Sequence, residues 1–250
     1  MTLPAMDGMS RAEIDKAEKA DLAKVRLRPR DAGTLILIDQ DGPEPRVLMG
    51  RRAMRHAFMP GKFVFPGGRT DPGDSRIAAA TPLHDEVAAK MAAGLGARAS
   101  AARCRAIAMS AVRETYEEAG LLIGRKERFV ATKSGWQAFA EHGVQPSLDN
   151  LRFIARAITP PGRVRRFDTR FLAAWKSAVA VSLPGGPPTD ELEELVWLPI
   201  AEAQQLDLPR ITSNILADLH ERIAEDPELR PGSPAPFYRM LHKRFVREIV

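Results

Sequence analysis

The sequence predicts a single domain of mixed α/β type, and three observations lead to this prediction. The chain has 250 residues and is 44% hydrophobic, which is enough for one sizeable core. Short apolar runs such as TLILI alternate along the chain with longer segments of helical periodicity. No internal repeat or low-complexity linker divides the chain into separate units.

The chain begins with a predicted arm, which is followed by strands. Residues 10–25 have helix-forming composition and mixed charge, so residues 1–29 are predicted as a helical arm and residues 30–250 as the domain. TLILIDQ predicts a buried strand, DGPEP a turn, and RVLMGRR a second strand. The stretch HAFMPGKFVFPGGRTDPGDS is rich in Gly and Pro, so we expect loop with a short strand at KFVF.

Two helices are predicted in the middle of the chain. PLHDEVAAKMAAGLG predicts a helix within residues 82–96 that ends at its glycines. Ser100 can cap a second helix through AARCRAIAMSAVRETYEEA, and Gly120 can end that helix. LLIG then predicts a short strand, and SGWQAFAEHG a short helix that stops at Gly143.

The remaining segments again mix strands and helices. LRFIARAITPP, RRFDTRFLAAWKSAVAVSL and ELEELVWLP contain strand-like runs, and IAEAQQL opens a helix. ITSNILADLHERIAED is amphipathic, with Ile215, Leu216 and Leu219 on one side. We expect C-terminal helices over about 209–250.

Composition disfavours several classes of partner. Lys and Arg exceed Asp and Glu by 37 to 32, which favours anionic partners. Aromatic residues make up only 6% and no zinc-finger spacing occurs, so nucleic acid is not an expected partner. Cys104 is the only cysteine and no apolar run is long enough to span a membrane, so we expect a soluble cytoplasmic protein. A homodimer is compatible with the sequence.

The segment AVRETYEEAG concentrates negative charge on one helix. Glu114, Glu117 and Glu118 are three and four residues apart, so a helix places them on one face, where like charges repel. Such a run is usually a solvated face, but that face would normally interleave Lys or Arg, and here only Arg113 is near. A bound divalent cation is the alternative, because Mg²⁺ prefers oxygen ligands.

Read together, GGRTDPGDS and RETYEEAGL resemble the two halves of the Nudix signature. That signature is a Gly, five residues, a Glu, seven residues, then Arg-Glu-aliphatic-x-Glu-Glu-x-Gly-aliphatic. Gly68 fits the first position, and Asp74 stands where the first Glu is expected. The second half is matched by Arg113, Glu114, Glu117, Glu118, Gly120 and Leu121.

The chain departs from this signature at three points. Asp74 shortens the first acidic side chain, and Thr115 occupies an aliphatic position. A spacer of 38 residues, 75–112, replaces seven, which amounts to an insertion of 31. We expect this insertion to be helical over about 76–106 and to lie outside the catalytic core.

The resemblance implies an α/β/α sandwich around a mixed sheet, and hydrolysis of a diphosphate linkage with Mg²⁺ or Mn²⁺. It implies that Glu117 and Glu118 are metal ligands and that Glu114 is a ligand or the catalytic base. The carbonyl of Gly67 is expected to complete the ligand set. Arg113 is expected to orient the acids through Asp74.

Upstream, LMGRRAMRHAFMPGKFVFPGG resembles the signature of coenzyme-A-cleaving Nudix enzymes. Leu48, Arg52, Ala53, Gly61 and the run 65–68 fit it, whereas Gly50 and Ala57 replace a Thr and an Arg. FMPGKFVFPGG and ITPPGRVRRFDTRFLAAW also resemble the acyl-CoA diphosphatase branch, whose Nudix box carries a long insertion. This resemblance covers about residues 30–200 and implies that Arg52 and Gly61 help to bind the substrate.

Two further groups have open assignments. Arg165, Arg166 and Arg170 are either a solvated strand edge or contacts for phosphates of coenzyme A, to which arginine geometry is suited. Glu194 is the candidate acid outside the Nudix box, because it lies three residues before Trp197.

Other functions are compatible with the same signature. A Nudix hydrolase could act on ADP-ribose, NADH or a nucleoside triphosphate. A non-catalytic Nudix domain that senses a ligand is the other alternative, although the retained acids Glu114, Glu117 and Glu118 weigh against it.

Overall fold

A large mixed β-sheet organises the chain in the computed structural model, which describes residues 27–55, 59–96 and 99–250. Its strands, with those of a smaller sheet, are β1 (Arg30–Asp39), β2 (Arg46–Arg52), β3 (Phe63–Val64), β4 (Gly67–Arg69), β5 (Leu121–Lys126), β6 (Val144–Pro146), β7 (Arg152–Ile158), β8 (Phe167–Trp175), β9 (Val179–Ser182), β10 (Leu192–Pro199), β11 (Pro236–Leu241) and β12 (Arg244–Ile249).

The strand order of the large sheet is β10-β2-β1-β8-β7-β11-β12, with β3 paired to β2 and β4 paired to β1. Strands β1 and β8 are parallel, as are β7 and β11, whereas the other pairs in this sheet are antiparallel. The smaller sheet has the order β6-β5-β9.

Helices cover both faces of the large sheet. They are α1 (Asp85–Ala92), α2 (Ala101–Ala119), α3 (Gln137–Glu141), α4 (Ile200–Ala203) and α5 (Arg210–Glu225), and Asp74–Arg76 and Lys176–Ala178 form 3-10 turns. None of the helices that the structure describes is long and apolar enough to cross a bilayer.

Alternation along β1 divides the core into two layers. Leu35 and Leu37 pack with α1 and α2, whereas Ile36 and Ile38 pack with α5 on the opposite face. The arrangement is an α/β/α sandwich around a mixed sheet, which confirms the predicted fold class.

The ends of α2 follow the predicted capping. Ser100 accepts a hydrogen bond at Oγ from the backbone nitrogen of Arg103 at 3.1 Å. At the other end Gly120 adopts φ 69° and donates its N–H to the carbonyl of Tyr116. These caps fix the helix that carries the predicted acids.

Two predictions about the ends of the chain have different outcomes. The helical arm predicted within residues 1–29 lies almost wholly outside the described residues. The prediction of C-terminal helices over 209–250 is wrong beyond α5, because residues 236–249 form the hairpin β11–β12. His242 and Lys243 make its tight turn with φ 46° and 64°, a geometry suited to a two-residue hairpin loop.

The segment predicted as an insertion contributes to the core. Helix α1 lies within residues 76–106, and the side chains of Val87 and Met91 are fully buried beside Leu35 and Leu37. This packing places α1 in the hydrophobic core, and the expectation that the segment lies outside the catalytic core stays a prediction. Its status as an insertion in a signature stays a prediction.

Candidate metal and catalytic site

Helix α2 lies directly on strand β1, and a glycine allows the close contact. A Cβ atom at Gly33 would lie 2.2 Å from the carbonyl oxygen of Ile107 and 2.9 Å from the amide nitrogen of Ala111. Only a residue without a side chain fits there. Since Gly33 pairs with Gly68, the C-terminal half of α2 is placed next to β4.

The glycines of β4 contact two of the acids on α2. A Cβ atom at Gly68 would lie 2.5 Å from Cδ of Glu114, so this carboxylate rests against the glycine backbone. Gly67 donates its N–H to Oε2 of Glu118 at 2.9 Å. The glycine loop and the acidic helix thus meet in space, although 38 residues separate the two halves of the signature.

Arg113 connects three acids, Asp74, Glu114 and Glu117. Its Nε donates to Oδ1 of Asp74 at 3.0 Å, and its Nη2 donates to Oδ2 of Asp74 at 3.2 Å and to the carbonyl of Arg69 at 3.0 Å. Its Nη1 donates to Oε1 of Glu114 at 2.9 Å and to Oε2 of Glu117 at 2.6 Å. One buried guanidinium therefore holds three carboxylates.

Burial and mutual repulsion raise the pKa values of the acids on α2. Burial raises the pKa of Glu114 to about 7, with Glu117 and Glu191 adding to the rise and Arg113 opposing it. Burial also raises the pKa of Glu117, again against the effect of Arg113. The pKa of Glu118 is raised well above its ordinary range by burial and by the nearby Glu114 and Glu191.

One carboxylate oxygen of Glu118 lacks a compensating donor. Its side chain is only 2% exposed, and no residue of the described ranges donates a hydrogen bond to Oε1. The guanidinium of Arg52 lies near it, with Nη1 at 4.0 Å. A buried carboxylate oxygen without a donor is unfavourable unless a cation or a proton compensates it.

Arg52 links Glu118 to an acid that the sequence analysis did not select. Its Nη2 lies 3.5 Å from Oε2 of Glu191, which precedes β10. The turn at Gly61, with φ 71°, donates its N–H to the carbonyl of Arg52 at 2.9 Å. The structure therefore places Arg52, Glu118 and Glu191 together, and Gly61 supports the backbone of Arg52.

Glu194 does not join this group. It forms an ion pair with Nε of Arg51 at 3.0 Å, and its side chain is about half exposed. Leu195 and Trp197 pack in the layer that contains α2, whereas Val196 packs in the opposite layer. Because side chains alternate along a strand, a residue three positions before Trp197 faces away from α2. Glu191 replaces Glu194 as the candidate in this region.

Strict alternation through ELEELVW does not select Glu191. The register of β10 against β2 shifts between Leu192, which pairs with Arg52, and Glu194, which pairs with Arg51. The carbonyl of Glu191 accepts a hydrogen bond from the N–H of Ala53 at 3.0 Å. The position of Glu191 therefore depends on this irregular pairing with β2, which the sequence pattern does not reveal.

Arg170 is also corrected by the structure. Its side chain is fully buried, with Nη1 2.7 Å from Oδ1 of Asp168 and 3.6 Å from Oδ1 of Asp31. None of its side chain is exposed, so Arg170 does not reach a substrate from this position. Its role is to neutralise buried carboxylates within the sandwich.

Arg166 makes backbone contacts near the start of β8. It donates from Nε to the carbonyl of Thr159 at 2.9 Å and from Nη1 to the carbonyl of Leu27 at 2.6 Å. These bonds join two loops and none of them involves an acid of α2. Substrate binding by Arg166 stays a prediction, whereas Arg165 is exposed, as expected for a solvated edge.

The donor set of this site suits a hard divalent cation. Carboxylate oxygens are the protein ligands that Mg²⁺ and Mn²⁺ prefer, and Oε1 of Glu118, which receives no hydrogen bond from the described residues, is one such oxygen. Within residues 27–55, 59–96 and 99–250, no three acidic, histidine or cysteine side chains already stand in a metal-binding arrangement. Glu114 and Glu117 are instead paired to Arg113.

A cleft of about 370 Å³ borders the same cluster. Asp74 and Arg113 form part of its wall, and Lys133, Ser134 and Trp136 form another part. Gly135 keeps this second wall close to the acids, since a Cβ atom there would lie 2.7 Å from Oε1 of Glu117. The cleft therefore borders Asp74 and Arg113, whereas the glutamates of α2 do not line it.

Comparison with solved structures supports the fold and the type of enzyme. The chain resembles a NUDIX hydrolase from Alicyclobacillus acidocaldarius with 27% identity and a TM-score of 0.58, over 77% of this chain and 91% of that chain. No protein-family model matches the chain. No curated protein matches it significantly.

Two other solved structures show weaker likeness. The Nudix hydrolase RenU from M. smegmatis has 17% identity and a TM-score of 0.42, over 81% of this chain and 92% of that one. The NUDIX domain of Shewanella oneidensis NrtR, solved with ADP ribose, has 13% identity and a TM-score of 0.45, over 86% and 99%. The chain has the Nudix fold, and the likeness to the Alicyclobacillus enzyme supports a hydrolase of Nudix type.

Proposed function

We propose that the chain hydrolyses the diphosphate linkage of coenzyme A or acyl-CoA with Mg²⁺ or Mn²⁺. The products would be 3′,5′-ADP and 4′-phosphopantetheine, acylated when the substrate is acyl-CoA. The observation that carries the hydrolase part of the proposal is the buried acidic cluster, in which an oxygen of Glu118 has no donor among the described residues. The cytoplasmic location expected from the sequence belongs to the same proposal.

Glu114, Glu117 and Glu118, with the carbonyl of Gly67, are the groups proposed to hold the cation. When bound, such an ion neutralises charge on the diphosphate and acidifies a water molecule. The raised pKa values of all three acids support this assignment, because burial, together with repulsion from nearby carboxylates, disfavours their charged forms in the absence of a cation. Arg113 alone does not offset burial for any of them.

The chain also provides groups that position the acids. Arg113 orients Glu114 and Glu117 from one side, and Asp74 fixes its guanidinium through two hydrogen bonds. The N–H of Gly67 fixes one oxygen of Glu118 and leaves the other oxygen directed elsewhere. Because Glu114 and Glu117 are paired to Arg113, these two side chains must turn toward a cation when it binds.

Glu114 is proposed as a metal ligand or as the catalytic base. Without a bound cation, burial raises its pKa to about 7, and a divalent ion next to it would lower that pKa. Glu191 lies across from the helix and is held by Arg52, so it is proposed as a positioning residue that keeps Arg52 near Glu118.

The assignment to coenzyme A rests on sequence resemblance. LMGRRAMRHAFMPGKFVFPGG and ITPPGRVRRFDTRFLAAW carry it, and the position of Arg52 beside the acids supports the first of these segments. Arg170 no longer supports the second segment as a phosphate contact, because its side chain is fully buried. Arg166 remains the candidate contact there.

Cleavage at the thioester is the competing reaction on the same substrate. It would require a nucleophile or base directed at the acyl carbon. Burial raises the pKa of the Cys104 thiol, so this single cysteine is a poor nucleophile. The diphosphate is also the part of the substrate that offers oxygen ligands to a hard cation.

A substrate panel with mass analysis of the products tests the proposal. The panel contains coenzyme A, acyl-CoA, ADP-ribose, NADH and nucleoside triphosphates, each with Mg²⁺ and with Mn²⁺, and Glu118→Gln is the control. Formation of 3′,5′-ADP and acyl-phosphopantetheine supports the proposal. Free fatty acid with intact coenzyme A contradicts it, and rapid cleavage of ADP-ribose or NADH without cleavage of coenzyme A favours another Nudix substrate.

A further inference from the structure

Strand β12 forms one edge of the large sheet. It is the last strand in the order, and β11 is its only strand partner among the described residues. An edge strand exposes a row of backbone donors and acceptors, which can pair with another chain.

The register of the hairpin identifies which residues of β12 direct these groups outward. Ala235 and Val250 exchange both backbone hydrogen bonds, at 3.0 and 2.9 Å. In an antiparallel pair such hydrogen-bonded positions alternate with positions that are not hydrogen-bonded. Phe245, Arg247 and Ile249 therefore direct their N–H and C=O groups away from β11.

The same hairpin exposes large apolar side chains. Phe245 is 62% exposed, Ile249 is 56% exposed, and Leu241 at the end of β11 is 39% exposed. Exposed apolar groups beside an open strand edge are typical of an interaction surface. β12 also carries the charged residues Arg244, Arg247 and Glu248, and their order determines what kind of partner fits.

The charge order of β12 is complementary to that of a second, antiparallel copy. If Val246 lies opposite Val246 of the second copy, Arg244 of each copy lies opposite Glu248 of the other. Phe245 of each copy then lies opposite Arg247 of the other. Moving the two-fold axis to Arg247 would instead place that arginine opposite its own copy. Like charges directly opposite are destabilising, so the register centred on Val246 is favoured.

We propose that the chain forms a homodimer by antiparallel pairing of β12 with β12 of a second copy, centred on Val246. The two large sheets then continue through the interface with a two-fold axis between them. This proposal is independent of the substrate, since it uses only the edge of the sheet and the residues of the hairpin.

Sedimentation velocity on the full chain over a range of concentrations tests the proposal. Phe245→Pro removes one outward N–H and leaves the bonds to β11 in place, whereas Phe245→Ser removes apolar area and keeps that N–H. We expect a concentration-dependent dimer, and at least tenfold weaker association in Phe245→Pro than in Phe245→Ser. Circular dichroism confirms that each variant is folded. A chain that stays monomeric at every concentration overturns the proposal, as does association that is equal in the two variants.

Charge exchange tests the register itself. In a dimer of Arg244→Glu, residues 244 and 248 that face one another are both negative, and in a dimer of Glu248→Arg they are both positive. Each variant alone should therefore associate at least tenfold more weakly than the unmodified chain. An equimolar mixture pairs opposite charges at both positions and should restore association. Failure of the mixture to associate better than either variant alone would overturn the register centred on Val246.

Discussion

Arg113 holds Asp74, Glu114 and Glu117 around one buried guanidinium, and this contact explains why the chain can gather carboxylates in its interior. The pKa of Arg113 is raised because these three carboxylates more than offset the effect of burial. Glu118 lies outside the reach of this arginine and keeps an oxygen without a donor in the described part of the chain. It is therefore the acid on which a bound cation should have the largest effect.

Replacement of Glu118 tests this conclusion. We expect Glu118→Gln to remain folded and to lose about a thousandfold in turnover, because one charge is removed from the proposed metal site. The free energy of unfolding without metal should not fall, since repulsion with Glu114 and Glu191 decreases. Steady-state kinetics at saturating Mg²⁺ and denaturant unfolding provide the measurements. Full activity of the variant would rule out the metal-site assignment.

A matched pair of glutamates tests the correction made on β10. Glu191→Gln should reduce kcat/KM by roughly 10- to 100-fold, because Arg52 loses the carboxylate that holds it near Glu118. Glu194→Gln should change activity by less than about twofold, since it disturbs only a half-exposed ion pair with Arg51. Equal losses in the two variants, or a larger loss in Glu194→Gln, would contradict the assignment.

Spacing within one helix made part of this site predictable. Glu114, Glu117 and Glu118 share one face of any α-helix. The glycine pair at 67–68 indicated where the backbone could approach them. Thr115 fits its aliphatic position because its buried hydroxyl donates to the carbonyl of Ala111 at 2.8 Å. Glu191 and Arg170 were misjudged because strand register and burial depend on neighbouring strands, which lie far away in sequence.

Helix α1 lies between the two halves of the signature and still packs in the hydrophobic core. Val87 and Met91 lie one turn apart, and both are fully buried in the layer that also contains α2. The carbonyl of Ala93, at the end of α1, accepts a hydrogen bond from Nη1 of Arg156 at 2.7 Å. The apolar spacing predicted that one face of α1 would be covered, but the sequence did not reveal what would cover it.

Truncation of Met91 tests this structural role. Met91→Ala should lower the free energy of unfolding by about 3 kcal/mol, because it leaves a cavity in a fully buried position. Met54→Ala is the control, because Met54 is 68% exposed and its truncation should change stability by less than about 0.5 kcal/mol. Denaturant unfolding measures both. A change in Met91→Ala as small as that of the control would show that α1 is dispensable for the core.

The C-terminal hairpin was predicted as a helix, and its residues explain why. PFYRML and RFVREI have enough helix-forming residues to suggest a continued helix, but the two segments are strands joined by the two-residue turn at His242 and Lys243. Neither turn residue is the glycine that usually marks such a loop. The composition therefore indicated the hairpin only weakly, and only the pairing of the two strands establishes it.

At the scale of the whole molecule, the acids of α2 link stability to pH. Glu114 binds more protons in the folded state than in the unfolded state between pH 4.5 and about 7, because its pKa is raised from 4.5 to about 7. The stability from this group is thus present at low pH and lost as pH rises through that range. Asp39, Asp149, Asp168 and Asp226 have lowered pKa values, so their contribution is lost only at more acidic pH.

Metal removal should therefore have a pH-dependent effect on the unfolding temperature. Without divalent ions, we expect the free energy of unfolding to decrease by roughly 3 kcal/mol between about pH 5 and pH 8, the amount that the shift at Glu114 predicts. Mg²⁺ should restore stability mainly at the higher pH, because it binds deprotonated carboxylates and only the folded state brings them together. Differential scanning calorimetry with EDTA and with Mg²⁺ at both pH values measures this, and Glu114→Gln should flatten the dependence observed with EDTA. Stabilisation by Mg²⁺ that is equal at the two pH values, or unchanged in Glu118→Gln, would show that the ion acts elsewhere on the protein.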